Sequence, residues 1–247
     1  MGRLTRVVAA TTALVALGAP LAGCGSSDEP TATHTDLGPE VTAPATASAG
    51  PVSDADALRA ALPTAADLPT GFARLPATAD PTTQPGDDPA PDRSTTNPTR
   101  CANVADTVAR QVAGSVASAE ENFTGPGFSS IDVDAASYTG TGAADAFAAV
   151  QDTLRECTTF TGTDADGTAV QYRIAPLPQP AVGDAATAVR LTTTSEGFTL
   201  VSDVVLTVVG STVVQAIATG PDGMDSDLAT RVAHTTAERV HAASPPH

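Results

Sequence analysis

The 247-residue chain has no tryptophan, no lysine, two tyrosines and six phenylalanines. So few aromatic rings exclude a carbohydrate platform built on stacked aromatics, and a cleft would be lined by Val, Leu, Ala and Thr. Its twelve basic residues, all arginine, stand against 28 acidic ones, a formal charge of −16. An acidic domain repels nucleic acid and anionic lipid, which excludes nucleic-acid binding. Histidine is scarce too: His34, His234, His241 and His247. His234 has no Ser or Cys nucleophile in motif context and reads as a helix-surface residue. Neither Gly-x-Ser-x-Gly nor a phosphate-cradling glycine loop occurs. Asp164-Ala165-Asp166-Gly167 has part of a calcium loop without its downstream acidic ligand. Asp222, Asp225 and Asp227 read as groups that complement a helix N-terminus. The chain therefore offers no catalytic set, no metal site and no cofactor site.

What is present begins at the N-terminus. Arg3 and Arg6 give a short positive end, and an almost uncharged run from Val7 to Leu21 follows. This is the layout of a signal peptide, residues 1–23. The run is short of the ~20 residues of a membrane span, and Pro20 interrupts its end. Leu21-Ala22-Gly23-Cys24 resembles the lipobox of bacterial lipoproteins. The resemblance implies a diacylglycerol on the Cys24 thiol and cleavage on its N-terminal side. An ordinary secretory leader is the alternative. Two or three acyl chains, at about 0.8 kcal/mol per buried CH₂, would hold the mature chain on the extracytoplasmic face of the cell membrane. Ten arginines and 28 acidic residues remain after Cys24, a formal charge of −18. The all-arginine, Ala/Thr/Asp/Gly-rich composition points to a high-GC actinobacterial genome.

From Cys24 to Val52 the chain is a polar, Pro/Thr/Ala-rich stretch that reads as a disordered tether. With Cys24 taken by lipid, Cys101 and Cys157 remain. An even remainder in an oxidising exterior reads as one disulfide, two buried thiols being the alternative. Within residues 53–247, Ser53 can cap a helix over 54–62. Cys101 opens a second, to about Ala119, on the stripe Val104, Val108, Val112 and Val116. Ala77–Thr99, with five prolines, reads as a long exposed loop. Phe128–Tyr138 reads as a strand. Thr141 can cap a helix over 142–156, with Ala144, Phe147, Val150 and Leu154 on one stripe. Strands are expected over 169–174, 185–194, 198–209 and 212–219, the last three as a β-meander through Glu196-Gly197 and Gly210-Ser211. A last helix spans about 224–242. The fold class is α+β: a twisted antiparallel sheet with a C-terminal meander, flanked by about four helices and tied by one disulfide.

The order of several short motifs from Ala57 onward resembles the PknH-like extracellular sensor domain of actinobacteria. They are Leu68-Pro69-x-Gly71-Phe72, the Cys101-led helix, the Ala-rich helix with Phe147 that ends at Cys157, and Val182-Gly183-Asp184-Ala185. The strand ending Val208-Val209-Gly210, followed by Thr212-Val213-Val214, also fits. The resemblance implies a twisted antiparallel sheet with helices around a cleft that binds a ligand. Many members carry a second disulfide and a Trp, which this chain lacks. The reading is a non-enzymatic, membrane-anchored domain with an envelope ligand or protein as partner. The alternatives are a lipid-carrying lipoprotein fold with a large apolar cavity, and a hydrolase of unfamiliar type.

Overall fold

The computed structural model describes residues 35–75, 93–221 and 225–246. Three long strands rich in Val, Thr and Ile build its centre. Strands β7 (Ala185–Ser195), β8 (Phe198–Val209) and β9 (Thr212–Pro221) form the meander. Glu196 and Gly197, both at positive φ, make its first turn, the backbone a two-residue hairpin needs. To these add β1 (Ala73–Arg74), β2 (Thr95–Asn97), β3 (Ala117–Thr124), β4 (Ser130–Ser137), β5 (Thr159–Thr163) and β6 (Ala169–Pro176). The order across the sheet is β1-β3-β4-β9-β8-β7-β6-β5-β2, and all neighbours are antiparallel.

The sheet has a core on each face because successive side chains alternate. Val205, Val209, Val214, Ala216, Ile131 and Val133 point to one side, where α1 (Ala55–Ala61) and α4 (Leu228–Ala243) pack with Leu58, Val232 and Val240. Val204, Leu206, Val208, Val213 and Ile217 point to the other, where α3 (Gly142–Glu156) packs with Phe147, Val150 and Leu154. A short helix α2 (Val108–Gln111) lies on this second face. Cys101 and Cys157 are bonded there, with Cα atoms 5.7 Å apart, and tie a 3-10 turn (Thr99–Asn103) to the end of α3.

Several local expectations are corrected. Ser53 does not cap α1; Asp54 does, its carboxylate accepting from the Asp56 and Ala57 N–H groups. The second helix is not continuous to Ala119. Thr107 is extended, α2 is four residues long, and Gly114 turns the chain at φ +99°. The chain then enters β3, which buries Ala117, Ala119, Glu121 and Phe123 on one side. Thr141 precedes α3, but its hydroxyl donates to the Asp145 carboxylate rather than capping the backbone. Strands β1, β2 and β5 were not expected. Residues 95–97 of the proline-rich loop form edge strand β2; residues 76–92 lie outside the described residues.

The stretch before Val52 also departs from a free tether. Leu37 and Val41 pack on the α3 face, and Ala43, Ala49 and Val52 are buried. Gln151 on α3 makes a two-way pair with Val41: its Nε2 donates to the Val41 carbonyl (2.9 Å) and its Oε1 accepts the Val41 N–H (3.0 Å). Arg155 donates to the Gly38 carbonyl (2.7 Å), Ser211 to the Ala49 carbonyl (2.8 Å), and Gly50 to the Pro245 carbonyl (2.8 Å). Small residues let this strip lie flat, and its backbone groups find fixed partners, which offsets the entropy of ordering it.

Candidate functional site

Helix α3 packs over β8 and β9. The outer surface of β3, β4 and the adjoining part of β9 forms a groove of about 380 Å³ beside α2. Its lining includes Glu120, Asn122, Asp132, Asp134 and Gln215, with Thr107 and Arg110 on one wall and Leu75 and Ile217 at the margins. A second groove of about 300 Å³ shares Thr107, Arg110, Glu120 and Asp134. Strand register makes the cluster. Glu120 pairs with Asp134, Asn122 with Asp132, and Asp134 in turn with Gln215, so one face of three strands carries polar side chains in neighbouring rows.

Asp134 is the floor of this site and is buried. One carboxylate oxygen accepts the Val108 N–H (2.8 Å) and the other accepts from Gln215 Nε2 (3.2 Å). Gln215 Nε2 also donates to the Asp106 carbonyl (3.0 Å), as does Gln111 Nε2 (2.6 Å). Burial pushes the Asp134 carboxyl up to about 7; the nearby Glu120 charge acts in the same sense, and the Val108 and Gln215 donors and Arg110 oppose it. Desolvation of the charged form outweighs two hydrogen bonds here. Asp132 is also raised, first by burial, then by Glu120, while its bond from Ser130 acts against this. Arg110 donates to Asp106 (2.6 Å) and lies 3.7 Å from Glu120. Its charge is thus shared with groups at the rim, and carboxylates outnumber cations in the groove.

A family model, the PknH-like extracellular domain, matches residues 53–239. This chain belongs to the PknH-like extracellular domain family. The crystal structure of the extracellular domain of PknH from Mycobacterium tuberculosis matches with TM-score 0.57 and 17% identity, over 78% of this chain and 98% of that one. An uncharacterized protein from Mycobacterium smegmatis matches at TM-score 0.35 and 15% identity, over 63% and 80% of the two chains. No curated protein matches. The first of these likenesses is one of fold.

The PknH-like domain accounts for the motifs that carried the resemblance. In Val182-Gly183-Asp184-Ala185, Gly183 sits at φ +61°, and a Cβ there would lie 2.4 Å from both Thr207 Oγ1 and the Val208 carbonyl. Asp184 accepts from the Gly210 N–H and from Ser48 (both 2.7 Å), fastening the β8–β9 turn. Leu68 is buried, and Phe72 packs on the α1/α4 core after Gly71 at φ +103°.

The residues singled out from sequence fall in separate places. Cys24 lies outside the described residues. Cys101 and Cys157 are bonded in the core of the groove-bearing face. His234 stands on the solvent side of α4, 3.6 Å from Glu238, on the opposite face of the sheet from the groove. The Asp164 carboxylate accepts from the Asp166 and Thr168 N–H groups and closes a turn. Asp225 accepts from the Asp227 N–H and from Arg231, whose bond holds the Asp225 carboxyl below its usual value. Among the described residues no three His, Cys, Asp or Glu side chains are arranged to hold a metal. The groove residues were not foreseen. Their signal was present: Asp132, Asp134 and Gln215 interrupt strands that are otherwise apolar or small, and a buried polar residue is the informative exception.

Proposed function

We propose that this chain is a lipoprotein anchored through Cys24 at the extracytoplasmic face of the cell membrane, whose PknH-like domain binds an envelope ligand or partner without transforming it. The leader and the Leu21–Cys24 motif support the anchor. The family, described as extracellular, supports the location. The polar groove carries the binding reading. It is open, its floor is a buried carboxyl, and its acidic side chains select a ligand that brings positive charge or hydrogen-bond donors. Carriage of a lipid would need a deep aliphatic cavity, whereas this groove presents Asn, Gln and carboxylate groups. A hydrolase built on His234 would need a nucleophile beside it, and Glu238 is the side chain it faces.

Native mass spectrometry of the protein purified from its own cells tests this. A co-purified molecule with amine or other donor groups is expected, and Asp132→Ala should release it while the domain stays folded. An empty wild-type protein whose melting temperature no envelope extract raises would refute the reading. Intact mass of the same sample reports acylation of Cys24 independently.

A further inference from the structure

Strand β3 is second from one border of the sheet, and β1 covers only its end. The Asn122 carbonyl accepts from the Leu75 N–H, on the β1 side, whereas the Gly125 N–H donates to the Ser129 carbonyl, on the β4 side. In an antiparallel ladder the backbone groups of successive residues alternate between the two margins of a strand. The odd-numbered residues of β3 therefore bond β4, and Ser118, Glu120 and Asn122 turn their N–H and C=O groups outward. Leu75 takes Asn122. Among the described residues none bonds the outward groups of Ser118 and Glu120. These two donors and two acceptors repeat about 7 Å apart, the two-residue period of an extended chain.

The open stretch lies in a groove. The space of about 300 Å³ beside it is lined by Ser118, Ala119 and Glu120, by Arg59 of α1, and by Ala109 and Arg110 of α2. α1 and α2 pack on opposite faces of the sheet, so this groove straddles the border instead of lying on one face. It continues into the larger groove through Arg110, Glu120 and Asp134.

Both arginines are engaged. Arg59 lies 3.3 Å from Asp56 and 3.9 Å from Glu121, and Arg110 donates to Asp106 (2.6 Å). Glu120 is exposed and lies 3.7 Å from Arg110, whose closer partner is Asp106. An incoming cation thus finds a carboxylate at the border that no arginine holds closely.

We infer that this border takes an extended segment of a partner protein as an added antiparallel strand, with Arg or Lys opposite Glu120. The inference rests on the binding reading above and names its partner class. The backbone of the added strand satisfies the outward groups of Ser118 and Glu120, which gives affinity, and its side chains give selectivity. A residue opposite Glu120 places its side chain on the same face and within reach of that carboxylate. A free amine matches the charge but not the backbone spacing. The chain's own residues 76–92, with five prolines, four aspartates and no basic group, have the wrong composition for this position.

Amide exchange read by NMR on the chain from Cys24 onward, with that thiol alkylated, tests this. The probe is a pool of acetylated, amidated hexapeptides with Arg or Lys at alternate positions and Val, Thr or Tyr between them. At ten times its Kd the pool should slow exchange of the Ser118 and Glu120 amides about tenfold. N-methylating the Arg and Lys residues removes the N–H groups that face β3 and keeps the charge; this should abolish the protection, and methylating the intervening residues should preserve it. Ser118→Pro deletes one outward donor without touching the β4 ladder and should weaken binding about tenfold. Glu120→Lys, at an exposed site, should weaken it at least as much if the proline disturbs the strand. A pool that protects neither amide overturns the inference, as does protection that survives methylation of the Arg and Lys residues. Spermine that shifts the Asp132 and Gln215 signals where the pool protects nothing assigns the groove to a small amine and also overturns it. Protection that grows with protein concentration alone assigns the border to a second copy, again overturning it. An empty wild-type protein in native mass spectrometry ends the binding reading itself and is distinct from each of these results.

Discussion

Asp134 should make this domain less stable as the pH rises toward neutrality. The carboxyl is buried between β4, β9 and the start of α2 and titrates at about 7, whereas the unfolded chain releases that proton near 4. Between those values the folded state keeps a proton that the unfolded state has lost, so stability is full below the unfolded value and falls as pH rises through the folded one. Three pH units at 1.36 kcal/mol each amount to about 4 kcal/mol. Asp132 adds a slope of the same sign. Asp67, held low by its bonds from Arg239 and Thr64, has the opposite sign, and its contribution is lost only as pH falls below the ordinary carboxylate range. Asp134→Asn keeps an acceptor for the Val108 N–H but turns an amide donor toward Gln215 Nε2, a pH-independent cost of about 1–2 kcal/mol. Urea denaturation from about pH 4 to about pH 8 should therefore show a falling stability in the parent and a much flatter profile in the variant. A variant with the parent's slope would refute the assignment of the buried proton to Asp134.

Other perturbations follow from the same structure. Opening the disulfide with Cys101→Ala and Cys157→Ala together frees a loop with a sequence separation of 56 residues; the chain-entropy model sets the loss at about 4 kcal/mol, read as a lowered denaturation midpoint with the fold intact at low temperature. Gly183→Ala drives a Cβ against Thr207 and the Val208 carbonyl in a left-handed backbone, and should destabilise by more than about 1 kcal/mol in thermal melting; an unchanged melting temperature would contradict that contact. Gln151→Ala removes both bonds to Val41; hydrogen exchange should quicken across residues 37–43 while the β7–β9 amides stay protected.

Where one period dominates, the sequence reads directly. Helix α3 spans the residues its apolar stripe marks, and β8 begins and ends at its turns. The misreading lies at Cys101–Thr124. Valines at 104, 108, 112 and 116 repeat every four positions, and small Ala and Val side chains fit a helix or a strand. Gly114 at positive φ and the pairing of β3 with β4 decide for a strand, and that pairing is tertiary. The Pro/Ala-rich strip before Val52 reads as free because no large apolar residue marks it; Gln151, Arg155 and Ser211, more than a hundred residues away, hold it. The groove was hidden for the same reason. Asp134 and Gln215 are 81 residues apart in sequence and meet through the β4–β9 register.

The two borders of the sheet have a consequence for crowded copies of the chain. β1 and β2 are two and three residues long, too short to template a further strand. The rest of the β3 margin carries the exposed Glu120, while Glu121 points to the other face, buried and paired with Arg74 and Arg59. A second copy that tried to extend the ladder antiparallel there would bring its own Glu120 toward this one. Such a margin resists fibre growth even at high local density.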